Sequence, residues 1–252
     1  MQRLPLTHHL RQRQRGVALF VVIVVVMLSM LLALWASRTS LFNEMLVGND
    51  ADYQRAFEAA QALLQDAELD IRGEKADGSP CSGSGDVCRT STIDKIPLEK
   101  QEVDSLLIAL GSQTSKCRNG LCAKRTDKQD FWNNTDASKG PTLAQMQDAG
   151  ARYGQFTGAA IGDTDTPANP ILADREPTDP AKPVERGGWY WIEVLNYTNA
   201  EGEGLIVDAP AGALGLRLSP NVVYRITALA YGQRSTTMVV LQQTYARKKT
   251  GD

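Results

Sequence analysis

Apolar residues recur along this chain in three different rhythms. From Val17 to Trp35 there are 19 residues without a charge, nearly all apolar, so a helix there has no polar face. That length crosses the hydrocarbon core of a bilayer. Further on, Phe42, Leu46, Tyr53, Phe57, Ala60, Leu64, Ala67 and Ile71 fall mostly three or four apart, which predicts one stripe on a helix. The opposite face, Asp50, Asp52, Gln54, Arg55, Glu58, Gln61, Gln65 and Asp66, is polar. No proline lies between Pro5 and Pro80, and the first glycine after Gly16 is Gly48. One helix is therefore predicted from Val17 to about Arg72, on the order of 80 Å long at 1.5 Å per residue. Gly48-Asn49-Asp50 is its weak point, where a kink or local melting costs little.

The third rhythm is that of strands. Gly187–Tyr197, Asn221–Gly232 and Ser235–Arg247 are rich in Val, Ile, Thr, Tyr and Trp and partly alternate. Tyr190, Ile192 and Val194 share a face, as do Tyr224, Ile226, Ala228 and Ala230. The short "YGQRS" between the last two segments predicts a hairpin. An antiparallel sheet laid across the stripe from Tyr53 to Ile71 would bury both surfaces. Between helix and strands the chain is polar and rich in loops. The Gly/Ser-rich stretch after Arg72 reads as a helix exit and linker. Leu98–Leu110 is a helical candidate with Val103, Leu106, Leu107 and Leu110 on one face. Residues 163–183 hold five of the eleven prolines and read as an irregular excursion rather than core.

Charge and composition narrow the function. Four of the 27 basic residues, Arg3, Arg11, Arg13 and Arg15, lie in the first 16 positions, which hold no acidic residue; the other 23 face 29 acidic residues. A mildly acidic remainder offers no footprint for nucleic acid. Both histidines, His8 and His9, also lie in that first segment. The rest of the chain thus lacks the imidazole that Ser-His-Asp and Cys-His catalysis require and that most catalytic zinc sites use. Carboxylate-pair hydrolysis has no signal above scattered surface Asp and Glu. No enzyme activity and no cofactor are expected.

The basic cluster before the apolar run places the N-terminus on the cytoplasmic side and the bulk of the chain outside. A removable secretory signal has a shorter apolar centre and a small-residue cleavage site, and "LLALWASR" supplies no clean A-x-A. An uncleaved single-pass anchor holding a periplasmic binding domain stays open, but it has no need of a helix that continues from membrane into water.

The basic leader, Gly16, the apolar run and the striped continuation together resemble the type IV pilin family and its pseudopilin relatives. That resemblance implies cleavage by a prepilin peptidase at Gly16–Val17 and methylation of the new amine of Val17. It implies an α+β fold, the type IV pilin lollipop, in which a long N-terminal helix packs on an antiparallel β-sheet head. The expected divisions are a leader at 1–16, a transmembrane or filament-core half at 17–37, an amphipathic half at 38–72, and a globular periplasmic head at 73–252. Two departures stand out: Val17 replaces the usual Phe or Met, and Val21 replaces the glutamate common at the fifth mature position. "RGVAL", the spacing of Glu44, Gly48-Asn49, Asp52 and Ala56-Phe57, and the closing "YRITALAYG…STTMVVLQQTY" resemble the PilX-type minor pilins. The function implied is assembly with other minor pilins into a priming or tip complex, with a large tip adhesin as further partner. The protein would begin in the inner membrane and end in the pilus. The nearest competitor is the K-type minor pseudopilin of type II secretion, which also lacks the fifth-position glutamate.

Cys81, Cys88, Cys117 and Cys122 are an even set beyond the membrane segment. In an oxidising compartment they admit three pairings. Cys81–Cys88 and Cys117–Cys122 are favoured because each pair is close in sequence; a four-thiolate zinc site is the alternative, although neither spacing has the tight knuckle form. The disulfides would pin loops where there is little core. Asp163, Asp165 and Asp174 could supply oxygen ligands to calcium, but no EF-hand spacing is present and solvated carboxylates are the default. Trp189 and Trp191 share a strand face, either as an exposed tip surface or, as expected, packed under a loop or the helix.

Overall fold

A computed structural model describes residues 15–82, 87–89, 95–97, 100–126, 129–162, 168–173, 177–179, 182–200, 203–206, 222–234 and 237–246. The chain forms two compact units, Met1–Asp50 and Ala51–Asp252. One helix, α1 (Arg15–Arg72), runs through both. It shows no break at Gly48-Asn49-Asp50. It stops at Gly73, whose φ of 68° lies in the left-handed region that glycine enters without a Cβ penalty.

The second unit is α+β. After α1 come α2 (Lys100–Gly111), two short strands β1 (Cys117–Arg118) and β2 (Leu121–Ala123), and α3 (Leu143–Ala149). Then follow β3 (Pro177–Asp179), β4 (Lys182–Glu185), β5 (Gly188–Ala200), β6 (Glu203–Ile206), β7 (Val222–Tyr231) and β8 (Met238–Tyr245). The main sheet runs β1-β2-β5-β7-β8, with β6 pairing the far end of β5. The predicted C-terminal strands pair antiparallel as expected, Ile192 opposite Ile226 and Ala228 opposite Leu241. The sheet as a whole is mixed, because β2 joins β5 in parallel.

Both faces of this sheet are covered, and by different means. Tyr190, Ile192, Val194, Tyr224, Ile226 and Ala228 form one core with Ala56, Ala59, Ala60, Leu63, Leu64, Ala67 and Ile71 of α1. Alanines at the contact let the helix lie close to the strands. At Gly188 a Cβ would come within 2.6 Å of Leu63 Cδ1, so glycine here lets that leucine side chain lie against the strand backbone. Val103, Leu106 and Leu110 of α2 extend the same core.

The other face carries Trp189, Trp191 and Leu229, packed with Phe131, Met146, Cys117 and Cys122. The rings of Phe131 and Trp191 meet edge to face at 4.9 Å, and Trp191 Nε1 donates to Met146 O at 2.8 Å. α3 reaches this position with a full capping box between Thr142 and Gln145. The polar middle of the chain thus builds a second core, where the sequence predicted loops with little core. The proline-rich stretch also differs from expectation: β3 and β4 form an antiparallel ribbon, and Ile171 and Leu172 enter the first core. Asparagine fixes that entry, since Asn169 Oδ1 accepts from the amides of both Ile171 and Leu172.

Candidate assembly surface

In the first unit the whole apolar surface of α1 is exposed. Val17 is 70%, Val21 51% and Trp35 71% accessible, and this is a helix long and apolar enough to cross a membrane. Its backbone polar groups are satisfied within the helix, as a lipid or filament interior requires. Ser29, the one hydroxyl between Val17 and Trp35, donates back to Val25 O at 2.8 Å, and Thr39 does the same to Trp35 O. Gly16 and Val17 lie in the first turns of the helix. Position 21 is a valine, so the helix brings no carboxylate to that level.

The stripe predicted from Phe42 is not buried along its length. Phe42 (64%), Leu46 (70%) and Tyr53 (48%) are exposed, and burial begins at Asp52 and Ala56. Periodicity alone reports which residues share a face, not which turns of that face have a partner.

The predicted polar face also needs correction, for Asp52 and Asp66 are buried, as is Asp70. Each meets its own set of donors in the second unit. Asp52 accepts from the backbone amides of Gln233 and Arg234, in the turn between β7 and β8, at 2.8 and 3.2 Å. Burial pushes its carboxyl up, but hydrogen bonds from Thr237 and those two amides, with the charge of Arg234, outweigh burial and leave it below the ordinary range. Asp66 accepts from Gly154 N at 2.7 Å and from the Thr157 hydroxyl. There burial wins, aided by the nearby Asp70, and the carboxyl lies above its ordinary range despite those bonds. Asp70 takes the Arg89 guanidinium at 2.7 Å and the Tyr190 hydroxyl at 2.9 Å. Burial, with the Asp70 charge, holds that tyrosine hydroxyl well above its usual range.

A second ionic cluster lies on the tryptophan face and was not anticipated. Glu193 accepts from the backbone and guanidinium of Arg125, and from Arg225 Nε at 2.9 Å. Arg125 stacks over Phe131 at 4.4 Å. Burial pushes its guanidinium down against the attraction of Glu193, and Arg225 adds to the downward push. The available signal was one glutamate inside the apolar strand "WYWIEVLNY", since a buried carboxylate demands partners.

The cysteines form Cys81–Cys88 and Cys117–Cys122, the two local pairs. No thiolate remains for zinc. Trp189 and Trp191 are each 1% exposed, so they pack and do not form a tip surface. Asp163, Asp165 and Asp174 lie outside the described residues. Among the described residues no cluster of His, Cys, Asp or Glu is placed to hold a metal ion. What the arrangement offers chemically is surface: a long apolar helix face in the first unit and a disulfide-pinned second unit.

These features define a membrane-compatible helix joined to an α+β unit, the class to which pilin-like subunits belong. A family model described as the C-terminal region of the type IV pilus assembly protein PilX matches residues 118–247, more than half of the chain. A second, for the PilX N-terminal region, matches residues 15–65. The chain belongs to the PilX family of type IV pilus assembly proteins, the minor pilins. Comparison with curated proteins returned no match, and comparison with solved structures returned none.

Proposed function

We propose that this minor pilin primes filament assembly from a position at or near the pilus tip. In this reading the precursor sits in the inner membrane through Val17–Trp35, with residues 1–16 cytoplasmic and the head periplasmic. The prepilin peptidase cuts Gly16–Val17 and the amine of Val17 is methylated. The apolar helix then leaves lipid for contact with the helices of other minor pilins, exchanging one apolar environment for another. A large tip adhesin is the further partner. The role is association through surfaces, without catalysis.

The observation that carries the tip position is Val21. The glutamate that the family commonly places there pairs with the amine of a neighbouring subunit, and a buried amine without such a partner is costly. A subunit that offers valine cannot neutralise that neighbour, and a filament end is where the loss is smallest.

Intact mass of the protein from membranes of cells with and without the peptidase tests the processing. A peptidase-dependent loss of residues 1–16 is expected; the same unprocessed mass in both strains would remove the pilin reading. The tip position is tested by gold labelling of the head. Val21→Glu should spread label from the tip along the shaft, and label along the shaft of the unmodified protein would reject the tip position.

A further inference from the structure

The main sheet ends differently on its two sides. β1 is two residues long and tied to β2 by the Cys117–Cys122 disulfide, so that edge presents little backbone. β8 closes the other side with eight residues, and among the described residues it pairs only with β7. Its sequence, "MVVLQQTY", contains no charge and no proline. Charges, prolines and short length are the usual devices that keep an exposed edge from pairing, and β8 lacks all three. The strand is nevertheless held firmly from within. Val239 is buried, Gln243 Nε2 donates to Glu68 at 2.6 Å, and Gln242 Nε2 donates to Thr227 Oγ1 at 3.0 Å. Its outward N–H and C=O groups form a preformed row, the surface that strand addition uses.

We propose that β8 is a docking edge that receives an extended segment of a different protein chain as an added strand. The incoming segment must continue both faces of the sheet. It therefore alternates, with apolar side chains beside Val239 and Leu241 and polar ones beside the exposed Gln242 and Thr244.

The same edge of a second copy fits poorly. Within the second unit α1 runs in the same direction as β8, for Asp52 binds the turn before β8 and Glu68 binds Gln243 near its end. Antiparallel pairing of two β8 strands would point the two helices in opposite directions, which subunits sharing one membrane cannot do. Parallel pairing about an axis along the strands would flip one sheet, setting Val239 and Leu241 beside Gln242 and Thr244. A different chain has neither restriction.

The test uses the full-length protein in cells that carry the pilus machinery, with a photocrosslinking residue at Gln242 or Thr244. Ile108 on α2, 78% exposed, serves as the control position. Crosslinks from 242 and 244 are expected in one segment of another protein, two residues apart in its sequence, with none there from 108. Scattered or absent crosslinks, crosslinks to β8 of a second copy, or crosslinks to residues 207–221 or 247–252 of the same chain would overturn the proposal. Gln242→Pro and Gln243→Pro add a second measurement. Successive amides of a strand point to opposite sides, so one of the two spares the ladder with β7. That variant loses one side-chain anchor, so it should melt somewhat lower but still cooperatively, less destabilised than the other, and it should lose the crosslink from position 244; full crosslinking would overturn the proposal. If both variants unfold, the register of the crosslinks decides. Processing at Gly16–Val17 is read separately by intact mass, so failure there and failure here are distinguishable.

Discussion

Between Val17 and Val47, α1 leaves its large apolar side chains 38–71% exposed, whereas Ala56, Ala59, Ala60, Leu63, Ala67 and Ile71 are at most 1% exposed. The backbone is the same α-helix throughout. Charge runs opposite to intuition: the exposed half carries none from Val17 to Ser37, and the buried half carries Asp52, Asp66 and Asp70. The difference teaches that an apolar surface suits surroundings of low selectivity, whereas buried carboxylates suit one particular contact. Lipid and a neighbouring helix both accept Leu or Val with little selectivity. A buried aspartate accepts only the donors built around it, so each one fixes the rotation and height of α1 against the strands.

The largest expected effect comes from stranding a charge in the buried half. Asp70→Ala leaves Arg89 and the Tyr190 hydroxyl buried without their partner and should cost about 3–5 kcal/mol. Thermal unfolding of the full-length protein in detergent measures it, and Arg89→Met added to Asp70→Ala should recover part of the loss. No recovery would mean that the carboxylate stabilises by some route other than pairing.

Next comes the apolar contrast itself. Leu63→Ala removes a fully buried side chain from the first core and should cost about 2–5 kcal/mol. Leu31→Ala, in the exposed half, should change unfolding of the second unit by less than about 0.5 kcal/mol. Equal effects at the two positions would erase the comparison.

The smallest effect is in pH, and its sign separates two of the carboxylates. The Asp52 carboxyl is lowered in the fold, so its contribution is present above the ordinary Asp range and is lost as pH falls through the folded value. The Asp66 carboxyl is raised, so its contribution is full below the ordinary Asp range and is lost as pH rises through the folded value. Melting temperatures from pH 3 to pH 7 should therefore fall less steeply on acidification in Asp52→Asn and more steeply in Asp66→Asn. Parallel curves for both variants and the unsubstituted protein would contradict these assignments.

Local chemistry was enough to read several features from sequence. An uncharged run of 19 residues reads as a helix that meets lipid or protein, because a single segment in an apolar medium can satisfy its backbone within itself only as a helix. β-branched and aromatic alternation gave the strands from Gly188 onward, and short separation gave the disulfide pairs. The zinc alternative fell because all four cysteines pair as disulfides, and the exposed-tryptophan alternative fell because the residues around Trp189 form a second core. That core draws on Phe131, Met146 and Trp191, which no periodic pattern links. Only the tertiary structure decided which carboxylates were interior. Asp50 and Asp52 are two residues apart on a helix predicted to be polar there, yet the first is exposed and the second sits against the β7–β8 turn. Hydrophobic periodicity is a property of neighbours in sequence and survives without a fold. The partners of a buried charge come from residues 19 to 182 positions away, and nothing local announces them.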